Sequence, residues 1–327
     1  MSRIQIIARD NGWGLSRDLS LLANALRERG HGVTITALRG GKLRKWLRPL
    51  GVRLADWLRH SVGRSIYFDF NLMVERIRPE YFAEAGRNLL LPNPEWFADE
   101  DGPWLSRLDG VLAKTRHAER IFRKLGCTVH WVGFCSEDRL DRAVPREARF
   151  FHLAGRSKNK GTKSLLGLWR RHPEWPLLTV VQNRRGIEPI RGVANIRHRV
   201  EYLDDAALKR LQNAHRFHLC PSETEGYGHY LAEAMSVGAV TITTDAEPMN
   251  ELLQPQRGLL VPSAGQGRQR LAITYPFDPA GMEAVIQQTL VMSEAEQARI
   301  GQHARAWFEA NAQAFPQRLN DALQAFS

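Results

Sequence analysis

Cysteine is scarce in this chain: three residues in 327, Cys127, Cys135 and Cys220. None stands at metal-ligand spacing, and three cannot build a disulfide framework. A reducing, cytoplasmic setting is the expectation. No apolar run reaches the ~20 residues that cross a bilayer, and the start lacks a leader pattern. Instead Met1-Ser2-Arg3 passes straight into Ile4-Gln5-Ile6-Ile7, which reads as a first strand. Internal repeats and low-complexity segments are missing too. No cluster of acidic residues points to a metal, so neither metal nor cofactor is expected.

Acidic residues are in deficit: 35 against 46 basic ones, a net charge of +11. Such a surface attracts nucleic acid, anionic lipid or phosphorylated substrates, and charge alone does not choose among them. The region from Arg39 to Arg64 concentrates the excess. Leu43, Trp46, Leu47 and Leu50, then Leu54, Trp57 and Leu58, follow helical spacing among its basic residues, with Pro49 and Gly51 between. Two short amphipathic helices lying on an anionic membrane surface fit that pattern. Packing onto the body of the protein fits it as well, and nucleic-acid binding less so.

The chain length predicts two domains. Apolar runs alternate with helical patterns in both halves, as in parallel, doubly wound sheets. One stretch carries the chemistry. Phe217-His218-Leu219-Cys220 reads as a buried strand, and Tyr230 to Val237 as a helix closed by Gly238. Between them lies Glu223-Thr224-Glu225-Gly226-Tyr227-Gly228. A strand, a glycine turn and a helix aim backbone N–H groups and the positive end of a helix dipole at an anion. Gly226 and Gly228 allow close approach. Glu225 and Glu233 frame this turn. Carboxylates repel phosphate but accept hydrogen bonds from sugar hydroxyls. A phosphate flanked by hydroxyl-rich groups is a nucleotide sugar.

Glu225-Gly226-Tyr227-Gly228, four residues, then Glu233-Ala234-Met235 and Gly238 resembles the E-x7-E signature of retaining GT-B glycosyltransferases of family four. Asp245 to Leu252 resembles the segment that follows it there. The resemblance implies a GT-B fold, two Rossmann-like domains facing a central cleft. The domains are expected at 1–137, for the acceptor, and 138–327, for the donor, with a polar linker over Ser136 to Arg149 and a last helix packing back on the body.

Further roles follow from the same resemblance. Gly155-Arg156 and Lys160-Gly161 are similar to the family's segment that neutralises a leaving diphosphate. Arg156 and Lys160 are thus expected to stabilise it, with Lys158 sharing the role, since charge growing on a leaving group needs cations. Glu225 would hold donor-sugar hydroxyls, Glu233 the ribose, and the backbone of Gly226, Tyr227 and Gly228 the phosphates. The loop around Tyr202 would hold the base. Gly12 and Gly14, after the first strand, resemble the N-terminal glycine loop.

Arg87 to Leu91 reads as a strand running into a two-proline loop. Loops at strand carboxyl ends hold ligands in open α/β sheets, which makes Asn93, Glu95 and Trp96 candidates for the acceptor side. Many relatives carry a histidine near this point, and it is absent here. Ser65 to Phe70 reads as another strand, with Asp69 and Asn71 as weaker candidates.

The function implied is retaining transfer of a hexosyl group from a nucleotide diphosphate sugar to a saccharide hydroxyl. Lipopolysaccharide core or another lipid-linked glycan is the expected acceptor, motivated by Arg39 to Arg64. A nucleotide-sugar epimerase or phosphorylase on the same fold, and a non-catalytic basic nucleic-acid-binding protein, are the alternatives.

Overall fold

A computed structural model describes residues 1–9, 14–38, 67–183 and 186–327. Gly12 and the basic region Arg39 to Arg64 lie outside them. The chain divides into two compact units, residues 1–135 with 312–327, and residues 136–311. The expected boundary, 137/138, lies two residues further on, and residues 312–327, expected in the second domain as a last helix packing back on the body, count with the first unit.

In the first unit the strands are β1 (Arg3–Arg9), β2 (Gly32–Leu38), β3 (Phe68–Val74), β4 (Ala85–Leu91), β5 (Gly110–Ala113) and β6 (Val129–Trp131). They form one sheet in the order β2-β1-β3-β4-β5-β6, every pairing parallel. Runs such as Ile6-Ile7, Leu72-Met73 and Leu89-Leu90-Leu91 are buried throughout, because a covered parallel sheet exposes neither face. Helix α1 (Gly14–Glu28) buries Leu19, Leu22, Ala23 and Leu26, the stripe its periodicity predicts. Helix α2 (Arg116–Lys124) starts at Thr115, whose hydroxyl accepts from the Ala118 N–H at 3.0 Å.

The strand expected at 65–70 is β3, Phe68–Val74, displaced toward the C-terminus. Asn71 lies in its middle. That side chain is buried, its Nδ2 donating to Tyr81 O at 2.7 Å and Asn88 Oδ1 at 2.9 Å. Asp69 accepts from the Arg3 N–H at 2.6 Å. Both are structural partners here.

In the second unit the strands are β7 (Glu147–Gly155), β8 (Leu178–Gln182), β9 (Ile196–Val200), β10 (His215–Cys220), β11 (Val240–Thr244) and β12 (Leu259–Val261). Their order is β12-β11-β10-β7-β8-β9, again all parallel. The helices are α3 (Thr162–Arg171), α4 (Asp205–Ala214), α5 (His229–Ser236), α6 (Met249–Leu252), α7 (Pro279–Val291) and α8 (Glu294–Gln324). A separate antiparallel hairpin, β13 (Gly267–Gln269) with β14 (Ala272–Thr274), was not anticipated. Phe150, Trp169, Trp175, Leu219 and Ile242 centre the core.

The segment read as a linker is bound tightly into this unit. Arg139 is only 3% exposed. Its backbone N–H donates to Ser236 Oγ at 3.1 Å, and its guanidinium reaches Gln212 Oε1 at 2.9 Å and Asp205 Oδ1 at 2.7 Å. Polarity marks this stretch as a linker, whereas Arg139 in it is buried and hydrogen-bonded.

Helix α8 starts in the second unit, and its last turns count with the first. There Phe315 meets Phe134 with ring centroids 5.0 Å apart, and Phe326 meets His130 at 4.9 Å. Gly110 has no side chain for a spatial reason: a Cβ would stand 2.1 Å from Phe326 Cζ.

Candidate active site

The winding of the second sheet fixes where a ligand belongs. From β7 the chain moves outward to β8 and β9, then returns to the other side of β7 as β10. In open α/β sheets ligands bind at such a reversal, beside the loops at the carboxyl ends of the strands, here those after β7 and β10. Residues 156–161 form one loop and 221–228 the other.

The two loops are laced together. The Glu223 N–H donates to Asn159 O at 2.9 Å, and the Tyr275 N–H to Glu223 O at 2.7 Å. Asn159 Nδ2 donates to Gln269 Oε1 on the hairpin at 2.6 Å. Gly161 adopts φ +63°, and a Cβ there would stand 2.8 Å from Pro221 O, so only glycine lets the loops close up.

Across this seam Lys160 Nζ pairs with Glu225 Oε1, the two side chains being 14% exposed each. Ser222 Oγ donates to the same carboxylate oxygen and also bonds the Tyr230 hydroxyl. Ser222 has one proton and gives it to Glu225, so the Tyr230 phenol, held well above its ordinary value by burial, is the donor to Ser222. The Tyr230 ring in turn lies under the ammonium, with Nζ 3.4 Å from its centroid. His152 pins the floor. Its Nδ1 is 2.8 Å from Leu219 O and its Nε2 2.9 Å from Thr162 Oγ1 at the start of α3. Burial pushes its imidazole down to about 4, so it stays neutral.

Gly228 caps α5 at φ +103°, and the turn Gly226-Tyr227-Gly228 leads into the helix N-terminus. The first N–H groups of a helix have no partner within it and present partial positive charge outward. Gly238, at φ +64°, ends α5 at the position read from the sequence. Glu233 is buried and accepts from Gln212 Nε2 at 2.7 Å. Arg139 donates to Gln212 Oε1, and arginine cannot accept, so the Gln212 amide has one possible orientation, its NH₂ toward Glu233. Tyr227 is buried, its hydroxyl accepting from Asn311 Nδ2 at 3.2 Å.

The structure thus joins Lys160 to Glu225 and places Arg156 and Lys158 on the same loop, both exposed. Tyr202 is 65% exposed and follows the edge strand β9, two strands from β7. Ser222, Tyr230, Gln212 and Arg139 escaped the sequence reading. Ser222 stands three residues before Glu225, the cue that could have flagged it.

In the first unit, Gly14 is the first residue of α1. Asn93 Nδ2 donates to Glu75 Oε1 at 2.9 Å, Glu95 is buried, and Trp96 is 59% exposed. Glu75 adopts φ +66°, unusual for a non-glycine residue. Burial, partly offset by Lys114, raises its carboxyl above the usual range. Lys114 Nζ bonds Asp18 Oδ2 at 2.7 Å, both side chains being buried. The strand-end rule that selected Asn93 would have selected Glu75 and Lys114 after β3 and β5.

Among the described residues, no group of three or more His, Cys, Asp or Glu side chains is placed to hold a metal ion. No helix there is long and apolar enough to cross a membrane.

This architecture is the GT-B fold. The chain superposes over 99% of its length on a glycosyltransferase from Rickettsia africae ESF-5, covering 98% of that chain (TM-score 0.72, 13% identity). It matches sucrose-phosphate synthase from Thermosynechococcus elongatus over 99% of both chains (TM-score 0.73, 16% identity). Anabaena Alr3699/HepE, in complex with UDP and glucose, is matched over 99% of this chain and 100% of that one (TM-score 0.69, 15% identity). Residues 150–272, which hold both loops of the seam, match the family model of glycosyl transferases group 1. No curated protein matches the chain in sequence.

Proposed function

We propose that this protein transfers a sugar from a nucleotide diphosphate sugar to a hydroxyl of a saccharide acceptor. One observation carries the reading. Lys160 and Glu225, a cation suited to a diphosphate and a carboxylate suited to hydroxyls, meet at the strand reversal beside the N-terminus of α5. The family match over the same residues supports it. So does HepE, a neighbour of the same fold that binds UDP and glucose.

In this reading Lys160, with Arg156 and Lys158, stabilises the charge that grows on the leaving diphosphate. The turn Gly226-Tyr227-Gly228 and the helix end hold phosphate oxygens. Glu225 holds donor-sugar hydroxyls. Glu233, which accepts from Gln212 Nε2, would hold the ribose. The finer assignment is a retaining hexosyltransferase of family four that needs no cofactor beyond its donor. Asn93, Glu95 and Trp96 would serve the acceptor, a lipid-linked glycan such as lipopolysaccharide core. The enzyme would work in the cytoplasm, peripheral to the membrane through Arg39 to Arg64, without binding nucleic acid.

Thermal-shift measurements with UDP, GDP, ADP and CMP, followed by transfer assays from the sugar nucleotide that binds, test this reading. A ligand bound only by the folded state raises its stability. No shift with any nucleotide refutes the donor site. For the membrane, sedimentation with anionic and neutral vesicles at low salt should favour the anionic ones, and equal binding would remove that part.

A further inference from the structure

Tyr230 is the second residue of α5 and is buried. Its two ends make different contacts. The ring face lies 3.4 Å from Lys160 Nζ. The hydroxyl bonds Ser222 Oγ, which bonds Glu225 Oε1. Both charged groups of the site therefore rest on one buried aromatic side chain. A lysine ammonium ends a flexible four-carbon stem, and an aromatic face beneath it attracts it electrostatically and limits where it points. A serine hydroxyl rotates freely unless its second bond fixes it, and the Tyr230 proton supplies that bond.

Resting on the donor-site reading above, we propose that Tyr230 is a positioning residue with two separable parts. Its ring places Lys160 for the diphosphate, and its hydroxyl, through Ser222, places Glu225 for the sugar. The site then senses the two halves of the donor through one side chain: removing the hydroxyl alone impairs recognition of the sugar half, and removing the ring with it impairs both.

Two variants separate the parts. Tyr230→Phe keeps the ring and deletes the hydroxyl; Tyr230→Leu deletes both. The probes are inorganic pyrophosphate, the diphosphates UDP, GDP and ADP, and their glucose esters, titrated calorimetrically. Tyr230→Phe should bind pyrophosphate and the preferred nucleoside diphosphate within about threefold of wild type, because the cation–π contact survives. Its extra affinity for the glucose ester over the bare diphosphate should fall by about tenfold, the worth of one buried hydrogen bond. Tyr230→Leu should lose about tenfold in pyrophosphate affinity as well.

A spectroscopic readout does not depend on binding. In protein labelled with ¹³C-lysine, the Lys160 CεH₂ resonance, assigned by Lys160→Arg, should be shifted upfield by the ring current in wild type and Tyr230→Phe alike. An unshifted Lys160 resonance in wild type overturns the proposal, even if Tyr230→Leu does not fold. Phe and Leu variants with the same loss, or with none, overturn it while leaving the donor site standing. A wild-type protein that binds none of these probes overturns the donor-site reading and the proposal with it.

Discussion

Acidification should loosen the second unit well before its carboxylates titrate. Two histidines in adjacent strands are buried neutral: His152 in β7, pushed to about 4, and His218 in β10, pushed to about 3. Burial is the first cause in each. A histidine held below its ordinary 6.5 contributes its full stabilisation above that pH. It gives it up as pH falls from 6.5 toward the folded-state value. At pH 5 the unfolded chain binds a proton on each imidazole and the folded chain almost none. Over the 1.5 units below 6.5 that difference amounts to about 2 kcal/mol for each histidine and about 4 for the pair. His215 and His198 shift in the same direction, while Glu223, raised by burial, opposes them. A loss of this size is a large share of the 5–15 kcal/mol that typically holds a domain.

Hydrogen exchange read by mass spectrometry measures it locally. Peptides covering 147–155 and 215–220 report opening of the central strands. After correction for intrinsic rates, their protection should fall about a thousandfold between pH 8 and pH 5, each histidine supplying about 30-fold. His218→Gln keeps a donor for Gln212 O, which His218 Nε2 contacts at 2.9 Å, but cannot titrate. In that variant the fall should shrink to about 30-fold. Protection that stays level from pH 8 to pH 5 refutes the reasoning, as does a His218→Gln profile identical to wild type.

Other perturbations give distinct outcomes. Lys160→Ala should lower kcat for transfer by about a hundredfold or more, as loss of a charge-stabilising donor does elsewhere. Glu225→Ala should abolish transfer while far-ultraviolet circular dichroism stays native, and near-normal activity would move the site elsewhere. Gln212→Leu strips the amide that joins Arg139 to Glu233, and urea unfolding should show a loss of about 1–3 kcal/mol. Lys114→Met leaves Asp18 buried without its cation, and the first unit should lose about 3–5 kcal/mol by the same measurement. Gly110→Ala drives a methyl into Phe326 and should cost about 1–3 kcal/mol.

Much of this was legible before the structure. The alternation of apolar runs and helical stripes marks the parallel sheets, because covered strands and amphipathic helices leave different periods. The spacing of Glu225, Gly226, Gly228 and Glu233 marks the turn and helix, and Lys160, picked out separately, pairs with Glu225. What stayed hidden are partnerships across long sequence separations. Arg139 looks like linker charge until Gln212 and Asp205 consume it. Asn71 looks like a weak site candidate until its amide is found bonded to Asn88 and the Tyr81 carbonyl. Tyr230 looks like filling until its ring is found under an ammonium. Composition and period register which side chains prefer burial; they do not register which distant group completes a buried polar one.

The closing turns of α8 have a consequence for biosynthesis. Phe315, Leu319, Leu323 and Phe326 are buried, and residues 312–327 count with the unit that begins at Met1. A ribosome delivers them after every residue of the other unit has been made. Domains generally fold as they emerge, N-terminal first, yet this one must wait for its last sixteen residues with apolar surface uncovered. A gene fragment ending at residue 135 would encode a body that never receives its final piece, whereas residues 136–311 lie in one uninterrupted stretch.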